Sequence, residues 1–156
     1  MSDPRLDAVD RSILAALEAD GRATNASLAR TAGIAESTSL ARVRSLVDRG
    51  VIRGVHAEID PAALDHGVEA MVAVRFGGHA RPQIEEFLEQ VPAIPGVLGL
   101  HHVSGANDFL VHVACPSARE LGDFVLDHLT SRPGVHHAET SLIFTSRRGT
   151  LPHVPQ

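Results

Sequence analysis

The sequence predicts an α+β fold, an N-terminal winged helix-turn-helix followed by a ferredoxin-like βαββαβ sandwich. Three observations carry that expectation. Between Thr24 and Gly54 two helical patterns meet at Gly33 with only a few residues between them, the spacing of a helix-turn-helix. At Val68 the hydrophobic period changes from helical to two-residue alternation, which marks a second module. Within that module Pro-Gly-Val occurs at Pro95 and again at Pro133, thirty-eight residues on, and each copy leads from a helix into a strand. A duplicated β-α-β unit is the plan of a split βαβ sandwich. The expected divisions are 1–59 for the helical module, 60–67 for a linker and 68–156 for the sandwich.

The first helix places Leu6, Val9, Ile13, Leu14 and Leu17 on one side, with Asp7 and Asp10 as a capping pair at its start. Asp20-Gly21 stops it. Thr24 is the expected N-cap of the next helix, which buries Leu28, Ala29 and Ala32. In the third helix Leu40, Val43, Leu46 and Val47 form an apolar stripe, so Thr38, Ala41, Arg42, Ser45 and Arg49 are expected to face outward. Small and hydroxylated residues near a helix N-terminus allow close approach to base edges, and arginines reach guanine edges or phosphates. The candidate DNA-binding set is therefore Ser37, Thr38, Ser39, Ala41, Arg42, Arg44, Ser45, Arg49 and Arg53, with Ser37 and Thr38 as base readers. Six arginines between Gly21 and Val55, set against Glu36 and Asp48, concentrate positive charge inside a chain of net charge −5. Gly50 ends the helix, and the alternation from Val51 to Ile59 predicts the β-ribbon of a wing. An Ala- and Arg-rich helical pair is also compatible with a simple solvated bundle.

Ile59-Asp60-Pro61 breaks the ribbon, and the stretch through Gly67 is expected to act as a hinge. Beyond it the expected elements are a strand over Glu69–Phe76, a helix over Pro82–Val91 burying Ile84, Phe87, Leu88 and Val91, and a strand from Val97 to Val103. They are followed by a strand over Asp108–Cys115, a helix opened by Ser117 that buries Leu121, Phe124, Val125 and Leu129, and a last strand from Val135. Met71, Val74, Leu98, Leu100, Leu110 and Val113 fall on both sides of the pleat, so one sheet face is expected to be covered by a second copy.

Composition narrows the function. The 156 residues are 44% apolar, enough for a core, and only 3% aromatic, with five Phe and no Trp or Tyr. That argues against a base-stacking RNA or single-strand platform and leaves duplex reading open. The single Cys115 makes no intramolecular disulfide, and no 18-residue apolar run or signal-peptide pattern is present, so a cytoplasmic protein with no membrane association is expected.

The order of these modules resembles the Lrp/AsnC (leucine-responsive, feast/famine) family of transcriptional regulators over nearly the whole chain. The residues that carry the resemblance are Leu6-Asp7 with Asp10 and Ile13-Leu14, Asp20-Gly21-Arg22, Leu28-Ala29, and Arg42-Val43 with Leu46. They continue through Gly50-Val51-Ile52, Asp60-Pro61, Val103-Ser104-Gly105 with Asp108, and Pro133-Gly134-Val135. The resemblance implies a RAM-type ligand-binding sandwich, promoter duplex DNA as partner, a homodimer that assembles further, often to an octamer, and a small-molecule effector, an amino acid or related metabolite, with no other cofactor. It also places the effector at the turn Val103, Ser104, Gly105, Ala106, Asn107, Asp108, between subunits, with Thr140 and Ser141 as further candidates. The residue types suit a zwitterion, because glycine-turn amides can meet a carboxylate and Asp108 an ammonium. The same six residues equally suit an ordinary hairpin turn. Two positions depart from the family pattern, Asn107 where an aromatic residue is common and Ala35 where a serine often caps the reading helix.

Three other readings compete with this one. A metal site on His101, His102, His112, His136 and His137 is disfavoured because adjacent strand residues point to opposite faces. An enzyme of the same two-domain plan, resembling the sirohaem decarboxylases, would call on Arg75, His101, His102 or His112, yet no catalytic motif accompanies them. A third reading keeps DNA binding and treats the sandwich as an oligomerisation platform without a ligand.

Overall fold

Asp7 starts the first helix, its carboxylate accepting the Asp10 backbone N–H at 2.8 Å. The computed structural model describes residues 6–78, 81–147 and 149. They fall into two compact units, one running to Glu58 and the other spanning Ile59–Arg147.

In the first unit α1 (Ala8–Ala19), α2 (Asn25–Ala32) and α3 (Glu36–Asp48) surround a core of Ile13, Leu28 and Leu46. Thr24 caps α2 through the Ser27 N–H, and α2 ends on Gly33 in the left-handed region. Ala35 gives α3 no side-chain cap, and Glu36 in the first turn complements the helix dipole instead. The buried side of α3 differs from the expected stripe. Leu40 and Val47 are 42% and 50% exposed, whereas Ser39 is fully buried with Leu46, and Val43 packs beside them. Two stripes compete on this helix, sharing Val43 and Leu46, and the one that also carries Arg42 and Arg49 faces α1.

The β-ribbon expected for the wing is the second correction. Val51 and Ile52 do not alternate; both amides return to the Leu46 carbonyl, at 2.9 and 3.1 Å, and both side chains pack on the helical core. Among the described residues, 53–60 then form no strand. The predicted hinge belongs to the second unit and contains a 3-10 turn, Pro61–Leu64, capped by Asp60.

The second unit follows the predicted order, with β1 (Val68–Phe76), α4 (Arg81–Gln90), β2 (Val97–His102), β3 (Phe109–Cys115), α5 (Ala118–Phe124) and β4 (Val135–Leu142). The strands form one antiparallel sheet in the order β2-β3-β1-β4, the ferredoxin-like arrangement. Register sorts the two faces. Ala70, Val72 and Val74 stand opposite Val113, Val111 and Phe109 and point toward the helices, where Phe87, Val91, Leu121, Phe124 and Leu129 close the core. Phe76, Phe87 and Phe109 form an aromatic cluster with centroids 4.8–5.6 Å apart. Leu88, expected inward, lies on the exposed side of α4. Beyond Phe124 the last helix widens into a π-turn, Val125–Thr130, which sequence period does not signal. Burial pushes the Cys115 thiol up, and Glu120 adds to the shift, so the thiol stays protonated at neutral pH.

The repeated Pro-Gly-Val has a backbone cause. Gly96 and Gly134 enter β2 and β4 at φ of 92° and 88°, and a Cβ on Gly96 would lie 2.9 Å from the Ala114 carbonyl oxygen. Gly96→Ala is therefore expected to lower stability by about 1–3 kcal/mol. Gly122, in α5 with open space where its Cβ would stand, is expected to gain about 0.5–1 kcal/mol as Ala. Thermal unfolding of the two variants checks the pair, and equal effects would contradict it.

Candidate DNA-reading and effector sites

The outward side of α3 carries Ser37, Thr38, Leu40, Ala41 and Arg44, all exposed, in the turns nearest the helix N-terminus. Arg53 is exposed beyond it and Ser45 is half-buried. This strip has the small, hydroxylated and cationic character that a groove-entering helix needs. Ser39 does not belong to it. Its hydroxyl is buried and without a hydrogen-bond partner among the described residues, so it faces the helical core and not a groove.

Arg42 and Arg49 lie on the α1 side. The Arg42 guanidinium donates to Asp7 at 2.6 Å and to Asp10 at 3.2 Å, and Arg49 stands 3.9 Å from the other Asp10 oxygen. Asp10 is only 2% exposed, while Asp7 and Arg42 keep about half their side chains in water. A carboxylate buried to that degree requires compensating charge, and two arginines one heptad apart supply it. Asp7 has two duties, one oxygen capping α1 and the other holding Arg42. The Asp10 amide and then the Arg42 guanidinium keep its carboxyl below the ordinary 3.8, and Asp7 in turn with Asp10 raises the Arg42 pKa. Sequence period does not identify Asp10 as a partner of α3, although a carboxylate beside the Leu6, Val9, Ile13, Leu14, Leu17 stripe is a signal for one. Arg22, Arg30, Arg44 and Arg53 are exposed, and their guanidinium groups have no carboxylate partner among the described residues.

In the second unit the segment from Val103 to Asp108 joins β2 to β3 as a hairpin turn. The Val103 amide donates to the Asp108 carbonyl and the Asp108 amide to the Val74 carbonyl, each at 2.9 Å. Asp108 uses one carboxylate oxygen to accept the Phe76 N–H at 2.7 Å, where the β1–β4 register shifts, and Arg75 Nε donates to the Ala106 carbonyl at 2.6 Å. The turn is thus held on β1 from both ends. The amides of Ser104, Gly105, Ala106 and Asn107 donate to no protein acceptor among the described residues. Arg75 has no place among the expected effector residues, since its position one residue before the bulge gives no local signal. Thr140 and Ser141 are not brought to the turn. They pair with Val72 and Met71, four and five residues back from Phe76, which is roughly 13 Å or more along the strand. They also point to opposite faces. Among the described residues no three His, Cys, Asp or Glu side chains gather as a metal-holding group; His112 instead hydrogen-bonds Glu69 at 2.9 Å on the open sheet face.

A helix pair that presents such a strip, carried on the same chain as a four-stranded sandwich, defines a transcriptional regulator with separate DNA-binding and ligand-binding parts. The chain belongs to the Lrp/AsnC family: residues 69–150 match the Lrp/AsnC ligand binding domain, and residues 6–53 match a winged helix-turn-helix DNA-binding domain. It is 43% identical over 147 residues to the HTH-type transcriptional regulator AldR of Mycobacterium tuberculosis, covering 94% of this chain and 82% of that one. Among solved structures, that of MtbAldR is 38% identical with a TM-score of 0.77 and covers 94% of this chain and all of the other. The Neisseria meningitidis transcriptional regulator NMB0573, solved as a complex with L-Met, is 30% identical with a TM-score of 0.83 and 96% coverage of both chains.

Two outcomes follow from the geometry. Because the folded pKa of Asp7 is depressed, the stability it contributes is complete above the ordinary value of 3.8 and is lost as pH falls through the folded value. Asp7→Asn, which keeps an oxygen for the cap, should flatten the pH dependence of Tm below about pH 4, and an unchanged acid profile would count against the pairing. Ser39→Ala removes an unpartnered hydroxyl and is expected to stabilise by up to about 1 kcal/mol with duplex affinity unchanged. Weaker DNA binding by that variant, measured by fluorescence anisotropy, would return Ser39 to the contact surface.

Proposed function

We propose that this regulator reads a specific duplex sequence through Ser37, Thr38, Ala41 and Arg44, with Arg53 on phosphate, and that a free amino acid binding at the Ser104–Asp108 turn changes that activity. The exposed strip on α3 carries the first half, since the opposite side of the same helix is committed to α1. Four consecutive amides with no acceptor among the described residues, beside a carboxylate, support the second. They offer donors to an α-carboxylate, and the Asp108 oxygen not engaged by Phe76 offers an acceptor to the α-ammonium. An amino acid bound to the related NMB0573 agrees with that class of effector.

The open face of the sheet supports a homodimer. Met71, Ala73 and Leu110 lie on it partly exposed, and Leu98, at the β2 irregularity, is 48% exposed. Apolar surface of that kind is covered when two copies meet. A second copy would also bring residues to the turn that its own strands hold too far away, so the effector site would be completed between subunits, in a dimer or a higher assembly such as an octamer. On this reading residues 1–59 are the DNA-binding part, 60–67 a linker and 68–156 the effector and assembly part of a cytoplasmic protein with no catalytic role; among the described residues no helix is long and apolar enough to cross a membrane.

Selection of bound sequences from a random duplex pool, followed by titration at several salt concentrations, tests the first half. One enriched motif is expected, with affinity falling about 10³-fold or more between 50 and 200 mM salt. No enrichment would refute sequence-specific reading. Thermal shift against each of the twenty amino acids tests the second half. One or a few should raise Tm, and Ala106→Glu, which places a negative charge beside the unpaired amides, should remove that shift while leaving the unliganded Tm within about 2 °C. No response to any amino acid would favour a ligand-free assembly platform.

A further inference from the structure

The six arginines of the DNA-binding unit are not equivalent. Arg22, Arg30, Arg44 and Arg53 stand in solvent, whereas Arg42 and Arg49 are drawn to carboxylates of α1. We propose that Asp10, assisted by Asp7, is a positioning residue for DNA reading: it holds Arg42 and Arg49 away from phosphate and fixes the rotation of α3 about its own axis. This rests on the reading of α3 as the DNA-contacting helix and assigns two of its cations a role other than contact.

The rotation is what needs fixing. α3 has two overlapping apolar stripes. One contains Leu40 and Val47 and the other Ser39, both sharing Val43 and Leu46. Burial of apolar area alone favours the first, because two large side chains would leave water. The observed rotation leaves those two exposed and buries a serine hydroxyl without a partner. What compensates is the Asp10 carboxylate, 2% exposed, meeting guanidinium groups at 3.2 and 3.9 Å. An unpaired charge at that depth is costly, so the arginines determine which side of α3 turns inward. The same rotation brings Ser37, Thr38, Ala41 and Arg44 to the surface together. A discrete ionic anchor therefore sets specificity while adding nothing to the phosphate contacts.

Simple destabilisation would weaken binding to every duplex alike. Releasing Arg42 and Arg49 from their carboxylates instead adds free positive charge, which should strengthen non-specific binding, while a helix free to rotate should lose discrimination. The experiment compares full-length wild type, Asp10→Asn, Asp7→Asn, Arg42→Gln and Arg44→Gln, each checked for helicity by circular dichroism. Affinities are measured for the duplex selected from a random pool and for a scrambled duplex of equal length over a salt series. Arg44→Gln is expected to flatten the slope of log affinity against log salt by about 0.9 for each phosphate it no longer neutralises. Arg42→Gln should leave that slope unchanged yet reduce the ratio of specific to non-specific affinity about ten-fold or more. Asp10→Asn should lower the same ratio while scrambled-duplex affinity rises; should it fail to fold, Asp7→Asn, which removes the shorter of Arg42's two ion pairs and retains the cap oxygen, is expected to shift both quantities in the same directions by a smaller amount.

A slope flattened by Arg42→Gln as by Arg44→Gln would make Arg42 a phosphate ligand and overturn the proposal. So would an aspartate variant that folds and keeps the wild-type ratio, or one that weakens both duplexes alike. Failure of the wild type to prefer any selected duplex would overturn the DNA-reading assignment itself and this proposal with it.

Discussion

The buried carboxylate of Asp10 is the constraint on which the geometry of the DNA-binding unit depends. A three-helix core as small as Ile13, Leu28 and Leu46 with their partly buried neighbours defines how closely the helices approach. It does not by itself select the observed rotation of α3, because the stripe with Leu40 and Val47 would bury more apolar area than the one with Ser39. A carboxylate that has given up water does select it. Arg42 and Arg49 on the facing side of α3 meet its two oxygens, and Asp7 shares Arg42 while starting α1. One anchor thus links the cap of the first helix to the exposed side of the third. Buried ion pairs contribute little net stability, and their attested value lies in selecting one arrangement over close alternatives.

The second unit is organised by a division between two sheet faces. Antiparallel register sends Ala70, Val72, Val74, Val111 and Val113 to the helices and leaves Met71, Ala73, Leu110 and the His112–Glu69 pair on the other side. Aromatic residues are few, and three of the five phenylalanines are spent on one cluster where β1, β3 and α4 meet. That cluster lies next to the β2–β3 turn through Phe109. Asp108 ties the turn to Phe76 by accepting its backbone N–H, so the same short segment of β1 serves core and turn. A turn fixed at both ends is held in one conformation, which on the proposed reading lowers the ordering cost of binding an effector there.

Much of the fold is legible in the sequence because its signals are periodic or local. The helix starts at Asp7, Thr24 and Ser117, the six elements of the sandwich and the paired Pro-Gly-Val entries all follow from rules that act within a few residues. What is not legible depends on neighbours distant in sequence. Apolar period assigns Leu40 and Val47 to the core because it cannot weigh a carboxylate thirty residues away. Alternation at Val51–Ile59 predicts a paired ribbon, but Val51 and Ile52 sit next to each other in the helical core, and among the described residues 53–60 form no strand. The turn from Val103 to Asp108 is recognisable as a hairpin from its residues, while the anchoring role of Asp108 and the part played by Arg75 require knowing which strand lies alongside. Thr140 and Ser141, the weaker candidates on the last strand, pair with Val72 and Met71, well back from the turn of their own chain.

The most direct test observes the Arg42 guanidinium in the unmodified protein. Nitrogen-15 NMR of arginine side chains should show its Nη hydrogens exchanging slowly and its rotation restricted, both in free protein and after addition of the selected duplex, while the Arg44 signals change on DNA binding. Rapid rotation of Arg42 in the free protein, or a shift of its signals to those of a phosphate-bound guanidinium in the complex, would contradict the anchoring of α3 by Asp10.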